Sequence, residues 1–352
     1  MTFGSDHYVP VLKVKRAEKA ALRLLSTSIR AKVTPLLEIV ERTDKALDAH
    51  LDTAFNGLAV AVSGFNRCFI DTREIKPDGH AGAEAVFQRA AACGVVFTPV
   101  TGISRTADVA AAKGHRTHGL ALRLQRDEFE AGGLGARISA FMAEHGLAPG
   151  DTDLIVDLGA VDNMISVGVE RLAAAFLGVV PDHTIWKTLT VSASAFPLSM
   201  GVVNRDGHLL AERADWRAWR NGQFASRNRL LRLPTYSDCA IQHPKGVEHF
   251  DPIKMKGSAC IRYTAGDTWL LIKGKSTRVT LPSLQFPSLA TQFVYGHLRS
   301  HYKGANHCSG CSSIKAAADG AKGLGSLEVW RRLGTIHHIT TVVEELGSLP
   351  WT

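Results

Sequence analysis

The chain has 352 residues and a formal net charge of +8 with its histidines neutral, and 45% of it is hydrophobic, the share of an ordinary soluble globular protein. No apolar run is long enough for a transmembrane helix, and the opening MTFGSDHYVP lacks the basic region and apolar core of a secretory signal. Six cysteines at uneven spacing argue for reduced thiols in a cytoplasm, while the positive charge favours anionic partners (nucleotides, phosphoesters or nucleic acid), although it is spread as on any solvated basic surface.

The predicted elements alternate. Residues 8–14 (YVPVLKV) read as a strand, and 17–31 carry apolar residues at helical spacing. A second strand, 33–40, leads to a helix over 43–55 with Thr43 or Asp44 as cap. Strand 68–71 is followed by a Gly/Pro-containing loop and a helix over 83–93 that stops at Gly94. Strands at 95–100, 119–124, 154–156 and 188–192 follow, with helices at 107–113, 134–145 and 166–177 between them. A short helix over 212–221 precedes a last strand, 230–236. Such alternation implies a parallel sheet, and eight units imply closure into a (β/α)8 TIM-barrel-like domain. A doubly wound open sheet would place a glycine-rich turn after its first strand. Here that strand is followed by KRAEKAA, which has no glycine.

Past residue 240 the pattern changes. Residues 259–276 suggest a β-hairpin about an Ala-Gly-Asp turn, 289–302 an amphipathic helix, and 327–346 a strong amphipathic helix that could cover the barrel. No clean linker is visible. The expected organisation is one domain over 1–352, with a barrel core in 1–240 and a C-terminal elaboration (hairpin, Cys-containing loop and covering helices) in 241–352.

Several predicted strands end in charge: VTPLLE at Glu38, CFIDTRE at Asp71 and Arg73, GLALR at Arg123, and DLIVD at Asp157. Barrel sites form where strands end. The expected ring is Lys13, Glu38, Asp71, Arg73, Arg123, Asp157, Ser192 and Asp238. Lys13, Arg73, Arg123 and Ser192 would bind anionic oxygens. Glu38, Asp71, Asp157 and Asp238 are the catalytic candidates, as acids and bases or as oxygen ligands for Mg²⁺. The bland alternative is a network of internal ion pairs plugging the mouth.

His307-Cys308-x-x-Cys311 has the spacing of a partial Zn²⁺ site, with Cys239, Cys260 or His301 as a fourth ligand. A redox pair or a turn with free thiols is the alternative. His337 and His338 are neighbours on a helix and point to different faces. The segment 216–232 interleaves Arg with Trp and Phe, as single-stranded nucleic-acid binders do, and equally as an amphipathic helix lying over the barrel does. There is no Walker A loop, no HExxH and no GxSxG, which argues against an ATPase, a zincin protease or an α/β-hydrolase.

YVPVLKVKRAE (8–18), KVTPLLEI (32–39) and WRRLGTIHHITTVVEEL (330–346) together resemble the phage and bacterial "beta protein" family, named after a bacteriophage T4 protein. That resemblance implies a setting, phage–bacterium conflict, with a nuclease or phage protein as partner. It implies no catalytic assignment. The expected function is therefore a cytoplasmic component of anti-phage defence whose strand-end pocket acts on or binds a phosphorylated or nucleotide-like anion. The alternatives are a non-catalytic sensor or partner-binding barrel, and a nucleic-acid binder. A mouth blocked by paired side chains would favour the non-catalytic reading.

Overall fold

The computed structural model describes residues 2–41, 45–221, 231–246 and 257–349. Parallel strands pair in chain order: β1 (Val11–Lys13), β2 (Leu36–Glu38), β3 (Cys68–Asp71), β4 (Phe97–Thr101), β5 (Leu120–Gln125), β6 (Thr152–Ala160), β7 (Thr188–Ser194) and, beyond β8 (Gly207–Glu212) of a second sheet, β9 (Thr235–Ser237). A parallel bridge between Tyr8 and Tyr236, with Val9 N donating to Tyr236 O (3.0 Å) and Val11 N to Asp238 O (2.8 Å), returns β9 to the first strand and closes the barrel. Parallel neighbours need crossovers; helices such as Gly79–Ala92, Leu134–His145 and Ser166–Gly178 supply them.

The inside of the barrel follows from strand periodicity. Successive inward residues are two apart. Leu36, Phe69, Val100, Ala121 and Ile155 pack together as an apolar layer within the strands. Two residues further along four of these strands stand Glu38, Asp71, Arg123 and Asp157, at the C-terminal mouth. Two residues before the layer stand Arg67, Thr98 and Asp153; Arg67 donates to Asp153 Oδ1 and Oδ2 at 2.7 and 2.6 Å, and to Thr98 Oγ1 at 2.9 Å. The barrel is thus filled by a polar, an apolar and a second polar layer.

The last third builds a second core. The hairpin is present as β10 (Ser258–Ala265) and β11 (Thr268–Ser276), turning at Gly266 with φ +58°, the left-handed conformation that a tight hairpin needs. β8 joins it as a third, antiparallel strand. That strand had no sequence signal, because it lies at a sheet edge and leaves Leu209 and Leu210 exposed, which removes the alternation that marks a half-buried strand.

Other differences are local. The helix expected over 17–31 is two, Arg16–Arg23 and Thr27–Arg30, because the Ser26 hydroxyl accepts from Ile29 N (3.4 Å) and starts the second. The next helix is Leu47–Phe55, and the expected caps Thr43 and Asp44 lie outside the described residues. The strand expected over 230–236 is Thr235–Ser237, and residue 230 also lies outside them. The helix expected over 289–302 is Pro282–Val294, with Pro in its first turn.

The helix Leu327–Gly347 ties the two cores together. Trp330 and Leu333 pack into the second core, whereas Ile336, Ile339, Val342, Val343 and Leu346 pack into the core around the barrel. Gly334 lies between, where an added Cβ would sit 2.6 Å from the carbonyl oxygen of Arg262 in β10.

Candidate functional site

Arg123 stands at the centre of the mouth, 2% exposed. Its Nη1 donates to Glu38 Oε1 (2.8 Å) and Asp71 Oδ2 (2.7 Å); Nε and Nη2 donate to Asp157 Oδ2 at 3.0 and 2.7 Å. Lys13 Nζ reaches Glu38 Oε2 at 3.1 Å, and Arg73 lies 3.4 Å from Glu38 and 3.5 Å from Asp157. Arg105, from the loop after β4, adds a contact of 2.5 Å to Asp71 Oδ1. Arg105 is not among the expected ring residues, although it follows the end of β4.

Of the expected ring, Lys13, Glu38, Asp71, Arg73, Arg123 and Asp157 therefore meet. Burial pushes the carboxylates upward, and the cations overrule it. Arg123, Arg73 and Lys13 bring Glu38 down to about 2, and Arg105, Arg123 and Arg73 hold Asp71 below the usual carboxylate range. Such groups are ionised at neutral pH, so they have no proton to give and little basicity. A Mg²⁺ ion would compete with Arg123 for the same oxygens. This is the paired, plugged mouth rather than open, wet carboxylates.

Asp238 and Ser192 are not part of that constellation's bonding. Ser192 is buried on β7. Asp238, fully buried, is captured at the barrel seam: it accepts from the Tyr8 hydroxyl, from the Tyr236 hydroxyl (3.0 Å) and from Ala240 N (2.8 Å), and His338 Nε2 lies 3.1 Å away. Its position at a strand end suggested the ring; the two tyrosines that close the barrel hold it elsewhere.

Beside the ring, on the same face, is a pocket of about 670 Å³. It opens between the loops after β1, β7 and β9 and the second sheet. Lys15, Arg262, Lys273 and Arg331 line it, with Phe196, Leu198 and Trp330 among its apolar walls and no carboxylate among the described residues. Arg262 donates to Ile241 O (3.0 Å) and Arg331 to Gln242 Oε1 (3.1 Å), which fixes both guanidinium groups. Lys15 has no hydrogen-bond or ion-pair partner for its Nζ among the described residues. Burial, then the neighbouring Arg331, lowers Arg262 to about 10. Glu18 Oε1 lies 3.9 Å from Arg331 Nη1. A slightly larger hollow, about 730 Å³, lies at the opposite end around Arg67, Arg116, His118 and Lys187. There Arg67 is committed to Asp153, and Lys187 donates to His118 O (3.2 Å).

The pocket cations escaped the sequence reading because they come from three distant stretches. One local signal existed. Cys260 faces Lys273 across the hairpin and Arg262 is two residues on, so both cations share one face.

The family model described as Beta protein matches residues 8–344. The chain belongs to the Beta protein family. No curated protein matches it. Among solved structures, a mandelate racemase/muconate lactonizing protein from Herpetosiphon aurantiacus is similar over 76% of this chain and 63% of that one, at 11% identity and a TM-score of 0.35. The chain thus spans less than two thirds of that structure's length.

In this Beta-family chain the two tryptophans of the aromatic segment do not offer a stacking face: Trp216 and Trp219 are 1% and 7% exposed and pack against Tyr236. Residues 222–230 lie outside the described residues. No helix among those described is long and apolar enough to cross a membrane. His337 and His338 are both fully buried and diverge as neighbours on a helix must, His338 to Asp238 and His337 to Cys311. Two of the expected fourth partners of His307, Cys308 and Cys311 lie elsewhere. Cys239 packs inside the barrel and Cys260 lines the cationic pocket.

Proposed function

We propose that this Beta-family chain is a binding module for a phosphorylated, nucleotide-like anion, seated in the pocket beside the barrel mouth, and that the charged ring is structural rather than catalytic. The observation that carries this is the lining: Lys15, Arg262, Lys273 and Arg331, without a carboxylate among the described residues. Guanidinium forks suit phosphate oxygens, and the Phe196, Leu198 and Trp330 walls suit a planar or apolar remainder. The setting we propose is the phage–bacterium conflict implied by the family resemblance, with the bound anion as a signal passed to a partner such as a nuclease.

The test is thermal unfolding of the full chain against inorganic phosphate, pyrophosphate and a panel of nucleoside phosphates, beside Arg262→Gln and Arg331→Gln. A ligand at a hundred times its dissociation constant stabilises by about 2.7 kcal/mol. A nucleoside phosphate that raises Tm in wild type, with the shift lost in both variants, supports the proposal. No shift with any anion, or a shift that survives both substitutions, overturns it. Steeply salt-dependent binding of single-stranded nucleic acid instead would favour the nucleic-acid reading.

A further inference from the structure

Cys308, Cys311, His307 and His337 each offer one ligand atom, and the four atoms all lie within 4.8 Å of one another. We propose that these four residues form a closed structural Zn²⁺ site that clamps the helix Ser309–Ala318 to the helix Leu327–Gly347. This site is independent of the anion pocket.

The donor set is two thiolates and two imidazoles, the composition of structural zinc sites. A tetrahedron with zinc–sulfur and zinc–nitrogen arms of ordinary length has edges of roughly 3.3–3.8 Å. Cys311 Sγ already stands 3.3 Å from His337 Nδ1. Small side-chain adjustments would close the rest.

The surroundings are those of a ligand set. His337 Nε2 lies 2.8 Å from the carbonyl oxygen of Thr264, to which only a protonated nitrogen can donate. Its Nδ1 is therefore the bare nitrogen, and it faces the sulfur. A carbonyl that fixes the tautomer of a ligating histidine is the usual outer partner of a metal site. Tyr263 stacks on the same ring at 3.6 Å. Its hydroxyl accepts from Lys303 N (3.0 Å), which leaves its proton for Cys311 Sγ at 3.3 Å. Cys311 N donates to Cys308 Sγ (3.3 Å), so both sulfurs have donors directed at them. Each nitrogen of His307 has an oxygen neighbour, Glu344 at 3.3 Å or Thr341 at 3.0 Å, so whichever turns to the ion, the other stays oriented.

Cys311 and His337 are fully buried, and four protein ligands leave no open position for substrate. The role is a cross-link. It pins the middle of the helix that both cores share.

The experiment is metal analysis of the full chain purified without chelator. The expected result is one zinc per chain, released in step with two thiols as an organomercurial is titrated in; this needs no variant. Exchange with Co²⁺ should give the intense visible bands of a tetrahedral ion and a thiolate-to-metal band in the near ultraviolet. Cys311→Ser should abolish them, whereas His307→Cys should keep the ion and strengthen the thiolate band. A chain that binds no Zn²⁺ or Co²⁺ when supplied overturns the proposal. So does mild oxidation that joins Cys308 to Cys311 in zinc-treated protein, which would make the pair a redox dithiol.

Discussion

Replacing Arg123 by Met keeps most of the side-chain volume and removes the charge on which Glu38, Asp71 and Asp157 converge. Three buried carboxylates then lose their shared partner, while Lys13, Arg73 and Arg105 remain. Breaking a buried ion pair on one side costs about 3–5 kcal/mol. With an unfolding entropy of about 2.1 cal/mol/K per residue over 352 residues, Tm should fall by roughly 4–7 °C at pH 7. The pH dependence gives the sharper check. Glu38 titrates at about 2 in the folded wild type and Asp71 below its ordinary range, so their pairing is present above the unfolded carboxylate pKa of about 4 and is lost as pH falls through the folded values. Without Arg123 the same groups titrate higher. The Tm gap between wild type and variant should therefore shrink as the pH falls from about 4 toward the folded Glu38 value of about 2, followed by calorimetry in a matched buffer series. A variant as stable as wild type at pH 7, or a gap that does not change with pH, would refute the view that Arg123 neutralises the ring.

Asp238→Asn should cost about 1–3 kcal/mol in denaturant unfolding, because one of the groups now directed at it (Tyr8, Tyr236, His338 or Ala240 N) is left facing an amide. Burial raises Asp238 but His338 and its hydrogen bonds bring it below its ordinary range, so this loss should appear above the unfolded carboxylate pKa and fade in acid. Gly334→Ala should destabilise by about 1–3 kcal/mol, since its Cβ would meet the Arg262 carbonyl at 2.6 Å and the Ile241 side chain at 2.9 Å; an unchanged denaturation midpoint would show that helix and sheet can separate freely there. Burial pushes the Cys68 thiol up to about 12 and the Cys239 thiol well above its usual range, so a thiol reagent followed by peptide mapping should modify both only after unfolding.

The strands that show in the sequence are those whose inward residues repeat every second position. VTPLLE, CFID and DLIVD each combine an apolar run with a charged inward residue, and this exposed both the barrel and most of its ring. What stayed hidden came from partners far apart in the chain. Arg105 reaches Asp71 from a loop with no periodicity. Lys15, Arg262 and Arg331 come from three stretches that only tertiary packing unites. The pairing of His337 with Cys311 spans 26 residues and depends on how two helices cross. Asp238 shows the converse error, a strand-end position read correctly while its partners were not.

The seam at Asp238 also bears on how the chain acquires its shape during synthesis. Tyr8 comes near the start, Asp238 lies past the middle, and His338 stands 330 residues after Tyr8. A nascent chain emerging from the ribosome can form successive strand–helix units, yet it cannot pair the first strand at the seam until β9 has folded beside it. Until then Tyr8 and Tyr236 present an open edge on either side of the gap, a surface that a chaperone could guard or a second nascent barrel could invade. Closure of the barrel therefore waits on β9, and the His338 contact to the seam follows only with the helix Leu327–Gly347.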